Sequence, residues 1–178
     1  MKQITDILEY IYKDEYLRQT CVPLFLSNPG LGKSQTIHKF AKDKGVQCKE
    51  IILSTRLPSE IFGMAMPSKD NTVMQYLDAD LLLDLKDGDI LFFDEIFNAN
   101  IALLNPCLTV LENRTTISGK SLPKIMIVAA ANPQGATMLT PQIKERFMTY
   151  EIKFSAREYR KNIEKYLIPD KIMDSICT

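Results

Sequence analysis

Two short stretches of this chain carry groups that could do chemistry on a phosphate. The first is Ser27-Asn28-Pro29-Gly30-Leu31-Gly32-Lys33-Ser34. Gly30 and Gly32 let the backbone turn tightly and bring its N–H groups against an anion. Lys33 supplies a point charge for β- and γ-phosphates, and the Ser34 hydroxyl can join a Mg²⁺ shell. The nucleotide contacts expected on this basis are Asn28, Pro29, Gly30, Leu31, Gly32, Lys33, Ser34 and Gln35. Such loops usually open with glycine; here Ser27 stands in that place, able to adopt a turn and adding a hydroxyl.

The second stretch is Ile90-Leu91-Phe92-Phe93-Asp94-Glu95. Its apolar residues would face both sides of a sheet, as in a buried interior strand. Asp94 then emerges at the strand end, placed for a water-mediated Mg²⁺ contact, and Glu95 is placed to polarise an attacking water. Phosphoryl transfer asks a protein mainly for positioning and charge stabilisation, which suits an adjacent Asp–Glu pair. An acidic strand end alone is more often a solvated terminus; the phosphate loop upstream changes that reading. The metal-side residues are thus Ser34 and Asp94, with ATP and Mg²⁺ as the expected ligands.

Two later residues complete the set. Asn132 follows the apolar run Ile127-Val128-Ala129-Ala130-Ala131, at the end of a strand expected beside the acidic one. Its amide can hydrogen-bond a γ-phosphate or the attacking water. Arg146, in Lys144-Glu145-Arg146-Phe147, precedes a final strand, and a planar, permanently charged guanidinium suits a loose phosphoryl-transfer state. Glu95, Asn132 and Arg146 are therefore the expected catalytic residues.

The elements that must position these groups alternate along the chain. Ile4, Ile7, Leu8, Ile11 and Tyr12 form a helical stripe before a strand at Val22 to Leu26. A helix from the loop to about Lys44 buries Ile37, Phe40 and Ala41 and aims its positive end at the anion. Strands are expected near Gln47 to Leu53, Ile125 to Ala130 and Thr149 to Phe154, with a brief strand-like piece at Val73 to Leu77. Pro58 to Gly63 reads as a turn or short helix, and Asp80 to Leu85 as a short helix. Asn98 is the expected cap of a helix reaching about Leu111, kinked or divided at Pro106. Thr115 to Leu122 reads as a hairpin turning at Ser118-Gly119. Met64 and Met66 suit either an adaptable gripping element or core packing. His38, on the outer side of the post-loop helix, is expected to be solvated. Ala156 to Leu167 reads as an amphipathic helix.

Composition sets outer bounds. In 178 residues, 22 basic and 22 acidic side chains balance, which argues against a protein whose main affinity is for nucleic-acid phosphates. The four cysteines, Cys21, Cys48, Cys107 and Cys177, lack Cys-x-x-Cys spacing, so neither zinc nor a disulfide framework is indicated. No apolar stretch reaches membrane length and no secretory pattern opens the chain. The expectation is a soluble cytoplasmic protein (in the host cytoplasm if viral).

The order of phosphate loop, FFDE strand, AAANP strand and ERF segment resembles the AAA+ ATPases. More narrowly it is similar to the MoxR-like, dynein-related branch, whose members carry an L-S-x-x-x-P-x-D/E-I/L-x-G segment. Leu53-Ser54-Thr55-Arg56-Leu57-Pro58-Ser59-Glu60-Ile61-Phe62-Gly63 fits it, while Leu103 through Arg114 resembles the family's L-x-x-L-L-x-x-R only loosely. The resemblance covers about residues 20 to 155. It implies a P-loop NTPase fold: a three-layer α/β/α sandwich around a central parallel five-stranded sheet. An ATPase core over residues 1–154 would be followed by a short helical tail over 155–178, a remnant of the family's lid. Walker A falls on Lys33 and Ser34, Walker B on Asp94 and Glu95, sensor 1 on Asn132 and an arginine finger on Arg146. The implied partners are further copies in a ring, usually a hexamer, and a protein substrate remodelled in a chaperone-like way. The shortened lid and Ser27 leave room for a nucleotide-binding scaffold subunit with little hydrolysis; a DNA-acting motor is a further alternative, which the balanced charge disfavours.

Overall fold

The computed structural model describes residues 2–133 and 145–152. Helices α1 (Lys2–Lys13) and α2 (Glu15–Thr20) lead into β1 (Pro23–Leu26), followed by α3 (Lys33–Lys44) and β2 (Cys48–Ile52). A single 3₁₀ turn, Leu53–Thr55, precedes α4 (Pro58–Phe62), β3 (Met64–Pro67), β4 (Met74–Leu77) and α5 (Asp80–Leu83). Then come β5 (Ile90–Asp94), a second 3₁₀ turn (Ile96–Asn98), α6 (Ile101–Asn113), β6 (Met126–Ala131) and β7 (Met148–Glu151).

Five strands pair in the order β2-β5-β6-β1-β7, all parallel. A strand inside such a sheet has no solvent face, and every residue of β6 is buried, as are Ile90 through Phe93 of β5. Successive side chains then serve two cores. Leu91, Phe93, Ile127 and Ala129 join α4, α5 and α6 residues such as Ile61, Leu82, Leu103 and Val110. Ile90, Phe92, Met126 and Val128 join Ile4, Leu8 and Ile11 of α1 and Ile37 and Phe40 of α3. Helices thus cover both faces, giving the expected three layers and five-stranded parallel sheet.

Several expectations change in detail. Asn100, not Asn98, caps α6, its Oδ1 accepting from the Ala102 N–H at 3.1 Å, because Asn98 is taken up in the 3₁₀ turn. Helix α6 runs through Pro106 undivided. Thr115 to Leu122 does fold back as a small hairpin, held by an antiparallel bridge between Thr115 and Ser121 and by the Thr116 N–H donating to the Lys120 carbonyl at 2.8 Å. A second hairpin, not expected, is β3–β4, with Met64 opposite Leu77. Both its strands are exposed throughout, so Met64 and Met66 do not pack into the core, whereas Phe62 does. Gly63 makes the entry possible. Its φ is +90°, and a Cβ there would lie 1.8 Å from the Leu77 carbonyl oxygen. His38 stays partly exposed, as expected, but also has a partner, lying 2.8 Å from Glu50 and edge-on to Phe92. The tail helix expected at Ala156 to Leu167, and the division at residue 154, lie outside the described residues. No helix among the described residues is long and apolar enough to cross a membrane.

Candidate nucleotide site

Three adjacent strands, β5, β6 and β1, end on the same side of the sheet, and each delivers one part of the site. After β1 the chain turns through Gly30 and Gly32, both at φ +76°, a conformation that carries little cost only in glycine. Gly32 caps α3 without a side chain, so the first N–H groups of this twelve-residue helix face the loop. Asp94 closes β5, and Asn132 follows directly on β6.

These parts enclose a cavity of about 310 Å³, lined by Pro29, Gly30, Leu31, Gly32, Lys33, Ser34, Gln35, Asp94, Glu95 and Asn132. All the expected loop residues line it except Asn28, whose carbonyl oxygen instead accepts from Lys33 at 3.4 Å. Lys33 is buried. Its Nζ also donates to the Ser27 carbonyl at 2.7 Å, to Ser27 Oγ at 3.0 Å and to Asn132 Oδ1 at 3.4 Å. Burial pushes the Lys33 pKa below the usual lysine value, and the Asp94 charge opposes that fall.

Ser34 Oγ donates to Asp94 Oδ2 at 2.6 Å, while Asp94 Oδ1 accepts from the Glu95 N–H at 2.8 Å. A hydroxyl and a carboxylate so placed fit Mg²⁺, a hard ion that keeps several waters and takes few protein ligands. No cluster of three or more His, Cys, Asp or Glu suited to a metal occurs among the described residues.

Glu95 is one of three non-glycine residues with positive φ among those described, at φ 55° and ψ 35°. That left-handed turn is costly without a special reason and is found at functional sites. It swings the Glu95 side chain toward the turn after β2, where its Oε2 accepts from the Ser54 hydroxyl. Ser54 was invisible as a site residue in the sequence. The matching LSTRLPSEIFG segment marks its neighbourhood, but no spacing rule joins it to Glu95.

Arg146 is not part of this cavity. It sits just before β7, partly exposed, and pairs with Glu112 on α6. The structure therefore brings together Lys33, Ser34, Asp94, Glu95 and Asn132 within one chain, and leaves Arg146 outside.

Comparison with known proteins agrees with this geometry. Residues 18–153 match the model of bpMoxR, the MoxR domain in the MoxR-vWA-beta-propeller ternary systems. An uncharacterized protein of Methanocaldococcus jannaschii is 27% identical over 157 residues, covering 85% of this chain and 39% of the relative. The Holliday junction branch migration complex subunit RuvB of Rippkaea orientalis is 34% identical over 137 residues, covering 70% of this chain and 32% of the relative. Among solved structures, the P216G mutant of Thermotoga maritima RuvB superposes with a TM-score of 0.67 at 19% identity, covering 97% of this chain and 52% of that one. The chain thus spans 32% to 39% of these curated relatives and about half of the solved RuvB chain. With the matching family model over most of its length and the P-loop sheet order in its structure, the chain belongs to the MoxR-like AAA+ ATPase family.

Proposed function

We propose that this protein binds ATP with Mg²⁺ and hydrolyses it, as one subunit of a ring that remodels a protein partner. The observation that carries the reading is the convergence of Lys33, Ser34, Asp94, Glu95 and Asn132 on one cavity at the carboxyl ends of three neighbouring strands.

In this reading the α3 N-terminus and the loop N–H groups cradle the phosphates, and Lys33 moves its charge onto them. Ser34 and Asp94 hold Mg²⁺, which when bound neutralises charge developing on the phosphoryl oxygens. Glu95 orients the attacking water through the carboxylate oxygen not engaged by Ser54. Asn132 can donate its amide N–H to the γ-phosphate or to that water. Arg146, outside its own chain's cavity, acts on the nucleotide of a neighbouring subunit, where its guanidinium stabilises the transferring phosphoryl group. The exposed Met64, Met66, Met74 and Tyr76 of the β3–β4 hairpin are an adaptable surface for gripping the protein partner.

ATP turnover measured against protein concentration with Mg²⁺, with mass determined in the same samples with and without nucleotide, tests this function. Turnover per subunit should rise as a ring-sized species forms. Tight nucleotide binding by a monomer, with no turnover at any concentration, would overturn it in favour of a static module.

A further inference from the structure

Position 27, where phosphate loops usually carry glycine, has no backbone need for one in this chain. Ser27 is not among the residues of positive φ. Its side chain is instead put to use. Ser27 is 3% exposed, its Oγ accepts from Lys33 Nζ at 3.0 Å and donates to the Asn28 carbonyl at 3.3 Å. With its own carbonyl at 2.7 Å, this one residue supplies two of the four oxygens around the Lys33 ammonium. An ammonium has three N–H groups, so these four neutral oxygens already saturate it. Glycine at this position would leave only the carbonyl.

We propose that the Ser27 hydroxyl is a holding acceptor that keeps Lys33 drawn back against the end of β1 and so sets the affinity for the nucleotide triphosphate. The inference rests on the nucleotide-site reading given above. Phosphate oxygens must compete with Ser27 for the same N–H groups, and every hydrogen bond broken at Ser27 is subtracted from what the phosphates gain. Ser27 is a positioning residue in this scheme, acting through Lys33.

The test uses the full chain and two readouts. Equilibrium binding of ATP and of AMP with Mg²⁺ is measured for the parent, Ser27→Ala, Lys33→Ala and the double variant. Acetylation of Lys33 by acetic anhydride is followed by peptide mass spectrometry in the absence of nucleotide. Loss of one hydrogen bond to Lys33 should tighten ATP binding in Ser27→Ala by about two- to ten-fold. AMP binding should stay unchanged, and the gain should vanish in the Lys33→Ala background. Acetylation of Lys33 should be faster in Ser27→Ala. Unchanged or weaker ATP binding by Ser27→Ala would overturn the proposal, because the hydroxyl would then be a filler or a direct nucleotide contact. A parent chain that binds neither nucleotide would sink the nucleotide-site reading itself. In that case faster acetylation in Ser27→Ala would still support the hold on Lys33, and an unchanged rate would refute it.

Discussion

The hydroxyl of Ser54, in the turn after β2, donates to Oε2 of Glu95 at the end of β5. This contact joins two adjacent strand ends across a parallel pair whose register sets Ile52 opposite Asp94. Glu95 itself lines the cavity. The chain after Ser54 continues through α4 to the exposed β3–β4 hairpin, so the residue that holds Glu95 lies on the same segment as the surface proposed to grip a partner.

Removing that hydroxyl should loosen Glu95 without touching the nucleotide contacts. Ser54→Ala is expected to lower kcat by about two- to ten-fold, the worth of one ordinary hydrogen bond, with KM for ATP little changed. Steady-state phosphate release over a range of ATP concentrations measures both. A rise in KM with kcat intact would mean that Ser54 serves binding rather than the placement of Glu95.

Arg146 pairs with Glu112 in its own chain and lies outside its own cavity. If it serves a neighbour, Arg146→Ala should cost about 10³–10⁵ in turnover of the assembled species while leaving ATP affinity intact. Mixing the variant with Glu95→Gln subunits should restore part of the turnover, since some interfaces then pair an intact Arg146 with an intact Glu95. No recovery on mixing, at matched total protein, would place Arg146 in a role confined to its own subunit.

Asp78 ties the end of β4 to the turn before β6. Its carboxylate is 1% exposed and accepts from Ser118 Oγ at 2.6 Å, from the Ser118 N–H at 3.2 Å and from Lys120 Nζ at 3.0 Å. Burial alone would raise its pKa, but hydrogen bonds from Ser118, Lys120 and Thr116 outweigh it and hold the value at about 2, against an ordinary 3.8. The unfolded chain therefore binds a proton more readily, so the stabilisation is fully present above about pH 4 and is lost as pH falls towards 2. Between pH 5 and pH 2 the Tm of the parent should fall more steeply than that of Asp78→Asn. Parallel Tm curves would show that the Asp78 charge contributes nothing to stability.

The site's main residues were legible because each sits at the end of an element with a plain signal. Phe92-Phe93-Asp94-Glu95 and Ala130-Ala131-Asn132 are apolar runs ended by a polar group, which is how a parallel strand buried on both faces reads in sequence. Gly30, Gly32, Lys33 and Ser34 follow the residue pattern that a phosphate-binding loop needs. Ser54 was not legible, since its contact spans 41 residues and depends on the β2–β5 register. Strand β3 was missed because Met-Ala-Met-Pro shows no alternation and buries neither face. The shift of the α6 cap from Asn98 to Asn100 came from two asparagines competing for one helix start, settled only by the 3₁₀ turn that follows Glu95. His38 found a partner, Glu50, on a strand whose packing against α3 no local pattern encodes.

The central claim, that this cavity hydrolyses ATP through Glu95, is tested most directly by comparing the parent with Glu95→Gln. Phosphate release and equilibrium ATP binding should be measured in the same assembled samples with Mg²⁺. Loss of the group that orients the water should cut turnover by about 10²–10⁴ while ATP binding stays as tight as in the parent. Turnover that survives the substitution would contradict the account.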